Sequence, residues 1–269
     1  MNRYKYIDEN KTHLHTLDNQ PLYGTSSVGN IISKPLTWYA SGMALMELGW
    51  TKIRVDGVMV PVEQRLPFAA TRLEYLKTLA PEAFLKLLDK AYRAHEDNKK
   101  EKADEGTDRH AELEKYVKHC VENGIPKSIS TEKPHIQALH EWAIKNVKRF
   151  LWSELHTYSE ALWIGGIVDA GVEMNDGTIG VIDFKSSKEA YYTQFLQCGG
   201  YAIQLEESGG YDPDGNKIFE LGGKVGQLIV FPFGAKEPNA CVRYDVDKFK
   251  QAFVHALELT KHKNSYENA

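Results

Sequence analysis

The chain has 269 residues, with 33 lysines and arginines against 37 aspartates and glutamates, and so a formal net charge of −4. A hydrophobic fraction of 42% and a charged fraction of 26% are ordinary for a folded globular protein and argue against a disordered chain. The mild acidity excludes nucleic-acid binding by bulk positive charge. Any such contact needs a local basic or metal-filled surface.

The three cysteines, Cys120, Cys198 and Cys241, lie far apart and form no C-x-x-C pair. This excludes a four-cysteine zinc site or iron–sulfur cluster within the chain, and the sparse cysteines fit a reducing compartment. There is no G-x-x-x-x-G-K-[ST] motif, so ATP is not expected as a cofactor. No apolar run approaches the ~20 residues that span a bilayer, and residues 1–20 are too polar for a signal peptide. We therefore predict a cytoplasmic protein of a bacterium or phage-infected host cell, with no membrane partner.

Helical periodicity dominates the first half of the chain after an irregular stretch at residues 1–34. Residues 35–48 and 65–92 fit helices, the second interrupted near Pro81. The segment 86–105 is dominated by charge, which predicts a solvated helix end or mobile loop, with a loop closing over a substrate as the alternative. The next helix is predicted to open at Gly106.

The periodicity changes from helical to alternating after a further predicted helix at residues 133–152. Residues 153–186 then fit strands that turn at Asn175-Asp176-Gly177, a strong hairpin signal. The predicted elements after the hairpin are a helix at 189–207, a strand at 225–231, a strand at 241–244 and a helix at 247–261.

This order of elements predicts an α/β fold with a central mixed β-sheet flanked by helices and an N-terminal helical elaboration. We expect residues 1–105 to be a helical region that packs on a core formed by residues 106–269, giving one compact domain overall.

The hairpin carries the residues with the clearest chemistry. Asp169 and Asp183 each lie seven residues from Asp176, so a three-residue loop would place them directly opposite on one face. A two-residue loop would shift the pairing by one. Like charges opposite each other destabilise a sheet, and a divalent cation between them would relieve the repulsion. Lys185 reaches the same space and could stabilise negative charge on a phosphate. The simpler interpretation is a surface hairpin with an Asp–Lys ion pair.

Four further residues are candidates for the same site. Gln197 and Tyr201 share one face of the following helix, and Gly199-Gly200 between them indicates close approach of another backbone. His110 lies on the buried stripe of its helix, where it is either a core residue or a metal ligand. Glu154 is a further candidate acid, in competition with Glu160.

These residues form four short motifs in a fixed order, namely Gly106…His110, Gly166…Asp169, Asp183-Phe184-Lys185 and Gln197…Tyr201. The set resembles the PD-(D/E)XK nuclease superfamily, and within it the RecB-like exonuclease branch that includes phage and mitochondrial genome maintenance exonucleases. The resemblance covers residues 106–205. It implies a restriction-endonuclease-like core for the central sheet.

The resemblance also implies roles for single residues. Metal ligands for Mg²⁺ or Mn²⁺ would be His110, Asp169, Asp183 and the backbone carbonyl of Phe184. Asp169, Asp183 and Lys185 would be catalytic. Gln197, Tyr201 and Thr107 would support the substrate.

The implied function is a metal-dependent DNA exonuclease acting on single strands or duplex ends in recombination, repair, replication or phage DNA metabolism. The alternatives are a structure-specific endonuclease of the same fold and a non-catalytic DNA-binding protein of the nuclease fold. A recombination or replication protein is a candidate partner.

Overall fold

A computed structural model describes residues 2–9, 12–32, 37–50, 54–55 and 58–267. The chain divides into two compact units. One contains residues 1–33 and 106–269, and the other contains residues 34–105. Within the described ranges, no helix carries an apolar stretch of the length that a bilayer span requires.

The elements follow the chain in this order. The strands are β1 (Tyr4–Glu9), β2 (Thr12–Leu17), β3 (Gln20–Pro21), β4 (Tyr23–Gly24), β5 (Arg54–Val55), β6 (Val58–Met59), β7 (Val147–Ser159), β8 (Ile164–Met174), β9 (Ile179–Lys185), β10 (Gly210–Tyr211), β11 (Lys217–Phe219), β12 (Val225–Pro232) and β13 (Cys241–Arg243). The helices are α1 (Thr25–Val28), α2 (Thr37–Glu47), α3 (Val62–Lys77), α4 (Pro81–Asn123), α5 (Pro134–Asn146), α6 (Tyr192–Ser208) and α7 (Val246–Glu267), with a 3-10 turn at Gly29–Ile32.

An eight-stranded mixed sheet organises the larger unit. Its order is β11-β10-β7-β8-β9-β12-β13, with β4 also paired to β8. β7, β8 and β9 form an antiparallel meander, and β12 then pairs with β9 in parallel. The predicted α/β class with a central mixed sheet flanked by helices is therefore confirmed. The restriction-endonuclease-like identity of the sheet stays a prediction.

The two central strands β9 and β12 are buried on both faces, which explains their almost continuous apolar sequences. On one face, Ile182 packs with Leu113 and Leu139 from α4 and α5. On the other face, Val181 packs with Leu205 of α6. Each fully buried side chain of this size contributes about 1.5–3 kcal/mol of transfer free energy. The two helical layers therefore bury the centre of the sheet on both faces.

Helix α4 differs from the prediction because it runs unbroken from Pro81 to Asn123. Gly106 therefore lies inside a helix, and the expected helix start at this residue is wrong. The charged segment 95–105 is helical and is not a loop. A single glycine costs a helix only about 1 kcal/mol, and the chain has no proline between Pro81 and Pro126 to stop the helix.

Residues 4–9 and 12–21, expected to be irregular, instead contain the antiparallel strands β1, β2 and β3. Asp18 and Asn19 both have positive φ, 50° and 62°, and lie between the paired residues Leu17 and Gln20. This is the two-residue turn that favours Asn and Asp in hairpins. Because the region contains strands, the description of residues 1–105 as a helical region is wrong for this segment.

The Gly199-Gly200 pair of α6 meets α7 at close range, as predicted. A Cβ added to Gly199 would lie 2.7 Å from the backbone carbonyl carbon of Phe249. One added to Gly200 would lie 2.6 Å from the ring of Phe253. The two glycines therefore set the distance between the helices that support one face of the sheet.

Substituting Gly199→Ala is expected to lower the free energy of unfolding by about 1–3 kcal/mol, because backbone atoms of Phe249 cannot move aside cheaply. Urea denaturation measures the change. Gly222→Ala is the matched control, since a Cβ there meets no atom within 4 Å and the change should stay within about 0.5 kcal/mol. Equal stability of the two variants would contradict the packing argument.

Candidate metal centre

The candidate site lies where β8 and β9 separate. The two strands pair from Glu173 and Ile179 to Ala170 and Ile182 and no further. Met174 N donates to Thr178 O at 2.8 Å, so the hairpin loop has the three residues 175–177. This is the register that brings Asp169 and Asp183 to the same level. The strand β4 pairs with β8 only beyond this point, at Ile164 and Gly165, which leaves a notch at residues 166–169.

The Asp169 side chain spans the gap between the separated strands. Its Oδ2 accepts a hydrogen bond from the backbone N–H of Phe184 at 2.6 Å and lies 3.2 Å from Nε2 of His110. The Phe184 ring meets the His110 ring edge-on, with centroids 5.8 Å apart. Phe184, expected to offer its carbonyl, thus contacts the site through its amide and its ring.

Glu154 lies opposite Asp169 on β7, between the paired residues Ser153–Ala170 and Leu155–Val168. Its φ of 52° places it in the left-handed region, which is rare for a residue with a side chain and common where strain is kept at a functional site.

The alternation of β8 breaks at Asp169. Ala170 and Val172 pack in the core under α4 and α5, whereas Val168 packs in the core under α6. Regular strand alternation would place Val168, Ala170 and Val172 on one face, and the structure does not. This irregularity, together with the left-handed Glu154 on the neighbouring strand, lets carboxylates leave the regular pleat and meet at the notch.

His110, Glu154 and Asp169 converge at this notch from α4, β7 and β8. One possible ligand atom of each lies within 4.8 Å of those of the other two. The Oε1 atom of Glu154 is buried and accepts no hydrogen bond from any residue of the described ranges. One imidazole and two carboxylates form a donor set for a divalent cation such as Mg²⁺ or Mn²⁺.

Asp183 and Lys185 form a buried ion pair on the neighbouring strand. Asp183 Oδ1 accepts a hydrogen bond from Lys185 Nζ at 2.9 Å, and Asp183 Oδ2 lies 2.8 Å from the same nitrogen without a hydrogen-bonding geometry. The Asp183 side chain is only 1% exposed and that of Lys185 is 26% exposed. Asp183 therefore pairs with Lys185. The three-residue donor set contains Glu154, whereas Asp183 was the carboxylate expected beside Asp169.

Gln197 and Tyr201 lie beneath the notch on α6. Gln197 Nε2 donates to the Tyr201 hydroxyl at 2.6 Å. Tyr201 is buried, and a Cβ on Gly166 would lie 2.8 Å from its ring. The pair thus supports β8 directly before Asp169. Thr107 lies one helical turn before His110 on α4 and is exposed.

The charges of the site shift several pKa values. Burial raises the pKa of Glu154, and the charge of Asp169 contributes to bringing it to about 8. Burial lowers the pKa of His110, but the hydrogen bond and charge of Asp169 outweigh burial and raise it to about 8. Burial raises the pKa of Asp183 against the opposing charge of Lys185. The site without metal therefore holds protons on His110 and Glu154 at neutral pH.

The comparisons with known proteins add no family assignment. No protein-family model matches the chain, and no match is found among curated proteins. The nuclease resemblance therefore depends on the motif residues and on their placement at the notch.

Glu154 is the member of the donor set that the sequence indicates least clearly. Its competitor Glu160 lies elsewhere and accepts a hydrogen bond from Arg3 at 2.9 Å. Strand periodicity gives no orientation for a left-handed residue. The available signal was position, because the turn at residues 160–163 joins β7 to β8 in antiparallel pairing and so brings Glu154 beside Asp169.

Glu154→Gln is expected to weaken Mn²⁺ binding at least tenfold, because it replaces an anionic donor with an amide of the same shape. Isothermal titration calorimetry measures the affinity. Glu160→Gln is the control and should bind as the unchanged protein does, since Glu160 pairs with Arg3 on the surface. If Glu154 were not a metal ligand, Glu154→Gln and Glu160→Gln would bind Mn²⁺ with the same affinity.

Metal affinity is expected to rise with pH up to about pH 8. Binding requires neutral His110 and ionised Glu154, and both hold protons below that pH, so binding releases protons. Titrations in two buffers of different ionisation enthalpy measure the released protons. A metal affinity that does not change as the pH rises toward 8 would contradict the assignment of His110 and Glu154 as ligands.

Proposed function

We propose that the protein is a metal-dependent deoxyribonuclease of the RecB-like PD-(D/E)XK type, acting as an exonuclease on single strands or duplex ends. The observation that carries the proposal is the His110–Glu154–Asp169 donor set directly beside the Asp183–Lys185 pair. DNA recombination, repair, replication or phage DNA metabolism is the proposed setting. A recombination or replication protein is a proposed partner.

The residues at the notch fit a divalent cation. The carboxylate oxygen Glu154 Oε1 is buried and accepts no hydrogen bond from the described part of the chain, whereas Asp183 Oδ2 also lacks one but lies 2.8 Å from the Lys185 ammonium. Buried carboxylates without partners are costly unless a cation or proton compensates them. His110, Glu154 and Asp169 would hold Mg²⁺ or Mn²⁺, with Asp183 on the adjoining strand. When bound, the ion supplies Lewis acidity toward a phosphate oxygen and lowers the pKa of water.

Lys185 supplies a fixed positive charge. Burial lowers the pKa of its ammonium, but the charges of Asp183 and Asp169 outweigh burial and hold the pKa above its usual value. The group therefore stays protonated at neutral pH and donates hydrogen bonds. Its role is to orient water and to stabilise negative charge that develops on the phosphate, not to accept a proton.

The distribution of charge limits where a DNA substrate can bind. The chain is acidic, so a phosphate backbone is attracted only where cations gather. A divalent cation held by Glu154 and Asp169, together with Lys185, makes the notch such a place.

Cleavage of end-labelled DNA in the presence of Mg²⁺ or Mn²⁺ tests the function. Asp169→Asn and Lys185→Ala are each expected to lower the rate about 10²-fold or more, because each removes charge stabilisation at the phosphate. Glu160→Gln is the control with an unchanged rate. Full activity in either site variant would refute this site, and no cleavage by the unchanged protein with either metal would refute the enzymatic function.

A circular single-stranded substrate distinguishes the exonuclease from an endonuclease of the same fold. An obligate exonuclease requires an end and leaves the circle intact, whereas it degrades the same strand once it is linear. Substrates labelled at the 5′ or 3′ end then give the polarity. Cleavage of the circle would assign the endonuclease alternative.

A further inference from the structure

An open cavity of about 480 Å³ lies beside the hairpin turn, at the end of β8 remote from Asp169. Its walls come from Gly177 and Thr178 of the turn, from Arg149 and Glu173 of the paired strands, and from the loop at residues 219–224. Asp169 and Glu173 are four strand residues apart, roughly 13 Å. The cavity is therefore separate from the candidate metal centre.

The carboxylates at this cavity are already neutralised. Glu173 accepts hydrogen bonds from Lys148 Nζ at 2.6 Å and from Arg149 Nε at 2.7 Å, so two cations face one anion. Glu220 pairs with Lys217. The Arg149 guanidinium uses only its Nε in the pair with Glu173, and its terminal N–H groups donate to no acceptor among the described residues, so a ligand can accept from them.

Lys224 adds a further positive charge. Its ammonium forms no ion pair within the described ranges, and its side chain is exposed. Arg149 and Lys224 line the cavity with Glu173 and Glu220, and these carboxylates also pair with Lys148 and Lys217 just outside the lining, so four cations lie near two carboxylates. The surplus favours an anionic ligand.

Gly222 and Gly223 have no role in packing that the fold explains. A Cβ on either would meet no atom within 4 Å, whereas a Cβ on the buried Gly180 would lie 2.8 Å from Ile229. Neither Gly222 nor Gly223 has a positive φ, so backbone conformation does not require glycine there. The backbone N–H groups of residues 222–224 donate to no acceptor in the described part of the chain. Consecutive free amides without side chains over them are a recurrent anion-binding arrangement.

The inner wall of the cavity is apolar. Leu151, Ile179 and Phe219 line it, and the Phe219 ring is held against Trp152 with centroids 4.5 Å apart. A partly exposed, fixed aromatic ring offers a stacking surface for a flat group. The site thus combines an anion-binding rim with an apolar wall.

We propose that this cavity binds a nucleoside phosphate, with the phosphate at the amides of residues 222–224 and at Lys224 and Arg149, and with the base against Phe219. The same chemistry is offered by a free nucleotide and by a nucleotide within a DNA strand. The proposal does not depend on the metal centre and stands or falls separately from the nuclease function.

Titration of the full chain with dAMP and with inorganic phosphate in EDTA tests the site, because metal-free conditions remove the cation from the notch. Lys224→Ala is expected to weaken dAMP binding about tenfold, as for loss of a hydrogen bond to a charged group. Gly223→Val should weaken it at least as much with an unchanged thermal unfolding midpoint, because the added side chain fills open space that the ligand needs. Lys127→Ala, an exposed lysine outside the cavity, is the control.

The outcomes are separable. No saturable dAMP binding at millimolar concentration, or equal affinity in Lys224→Ala, Gly223→Val and the unchanged protein, would overturn the proposal. Phosphate that binds as tightly as dAMP would overturn the role of the apolar wall. If dAMP binds as expected, a single-stranded oligonucleotide is titrated next. Weaker oligonucleotide binding by Lys224→Ala would identify a nucleotide within a DNA strand as the ligand. Unchanged oligonucleotide binding would identify a free nucleotide as the ligand.

Discussion

The separation of β8 from β9 at Asp169 is the constraint on which the site depends. At this point the Asp169 carboxylate, rather than a backbone carbonyl, accepts the hydrogen bond from the Phe184 amide. The side chain thereby takes over one connection of the sheet and is fixed in the plane between the strands. Because the same oxygen lies 3.2 Å from His110, the loss of one backbone pairing also fixes the helix α4 against the site. The same Asp169 carboxylate oxygen therefore ends the strand pairing and positions the His110 imidazole.

The apolar core on both faces of the sheet offsets the cost of the interrupted strand pairing and of the buried Glu154. Glu154 keeps a left-handed backbone and a buried carboxyl whose pKa is raised from 4.5 to about 8. A folded-state pKa above the unfolded value means that the folded state binds more protons, so the free energy of unfolding falls as the pH rises from about 4.5 to about 8. A bound cation would replace the proton and restore this stability. Metal binding at this site would therefore be linked to folding stability through Glu154, while the buried apolar layers on β9 and β12 contribute the hydrophobic part of that stability.

The sequence contained most of the site but not its geometry. The hairpin signal brought Asp169, Asp183 and Lys185 near one another but left their register open between a two- and a three-residue loop, and the structure has the three-residue loop at residues 175–177. Two other features could not be found in this way, because each is set by tertiary context. Glu154 departs from strand alternation, and α4 continues through Gly106, where a local signal predicted a helix start. The N-terminal meander was missed because its Asp18-Asn19 turn lacks the glycine that usually marks a hairpin.

The net charge of −4 conceals an opposite arrangement at the two ends of β8. At the Asp169 end, carboxylates from β7 and β8 and one imidazole form a donor set, which becomes an excess of anions once His110 and Glu154 lose their protons to a cation. At the Glu173 end, two cations hold one carboxylate and Lys224 adds another positive charge. A cation bound at the first end would make both ends attractive to phosphate while the chain as a whole stays acidic. The proposed phosphate recognition would therefore be local, and its dependence on divalent metal would be confined to the Asp169 end of the strand.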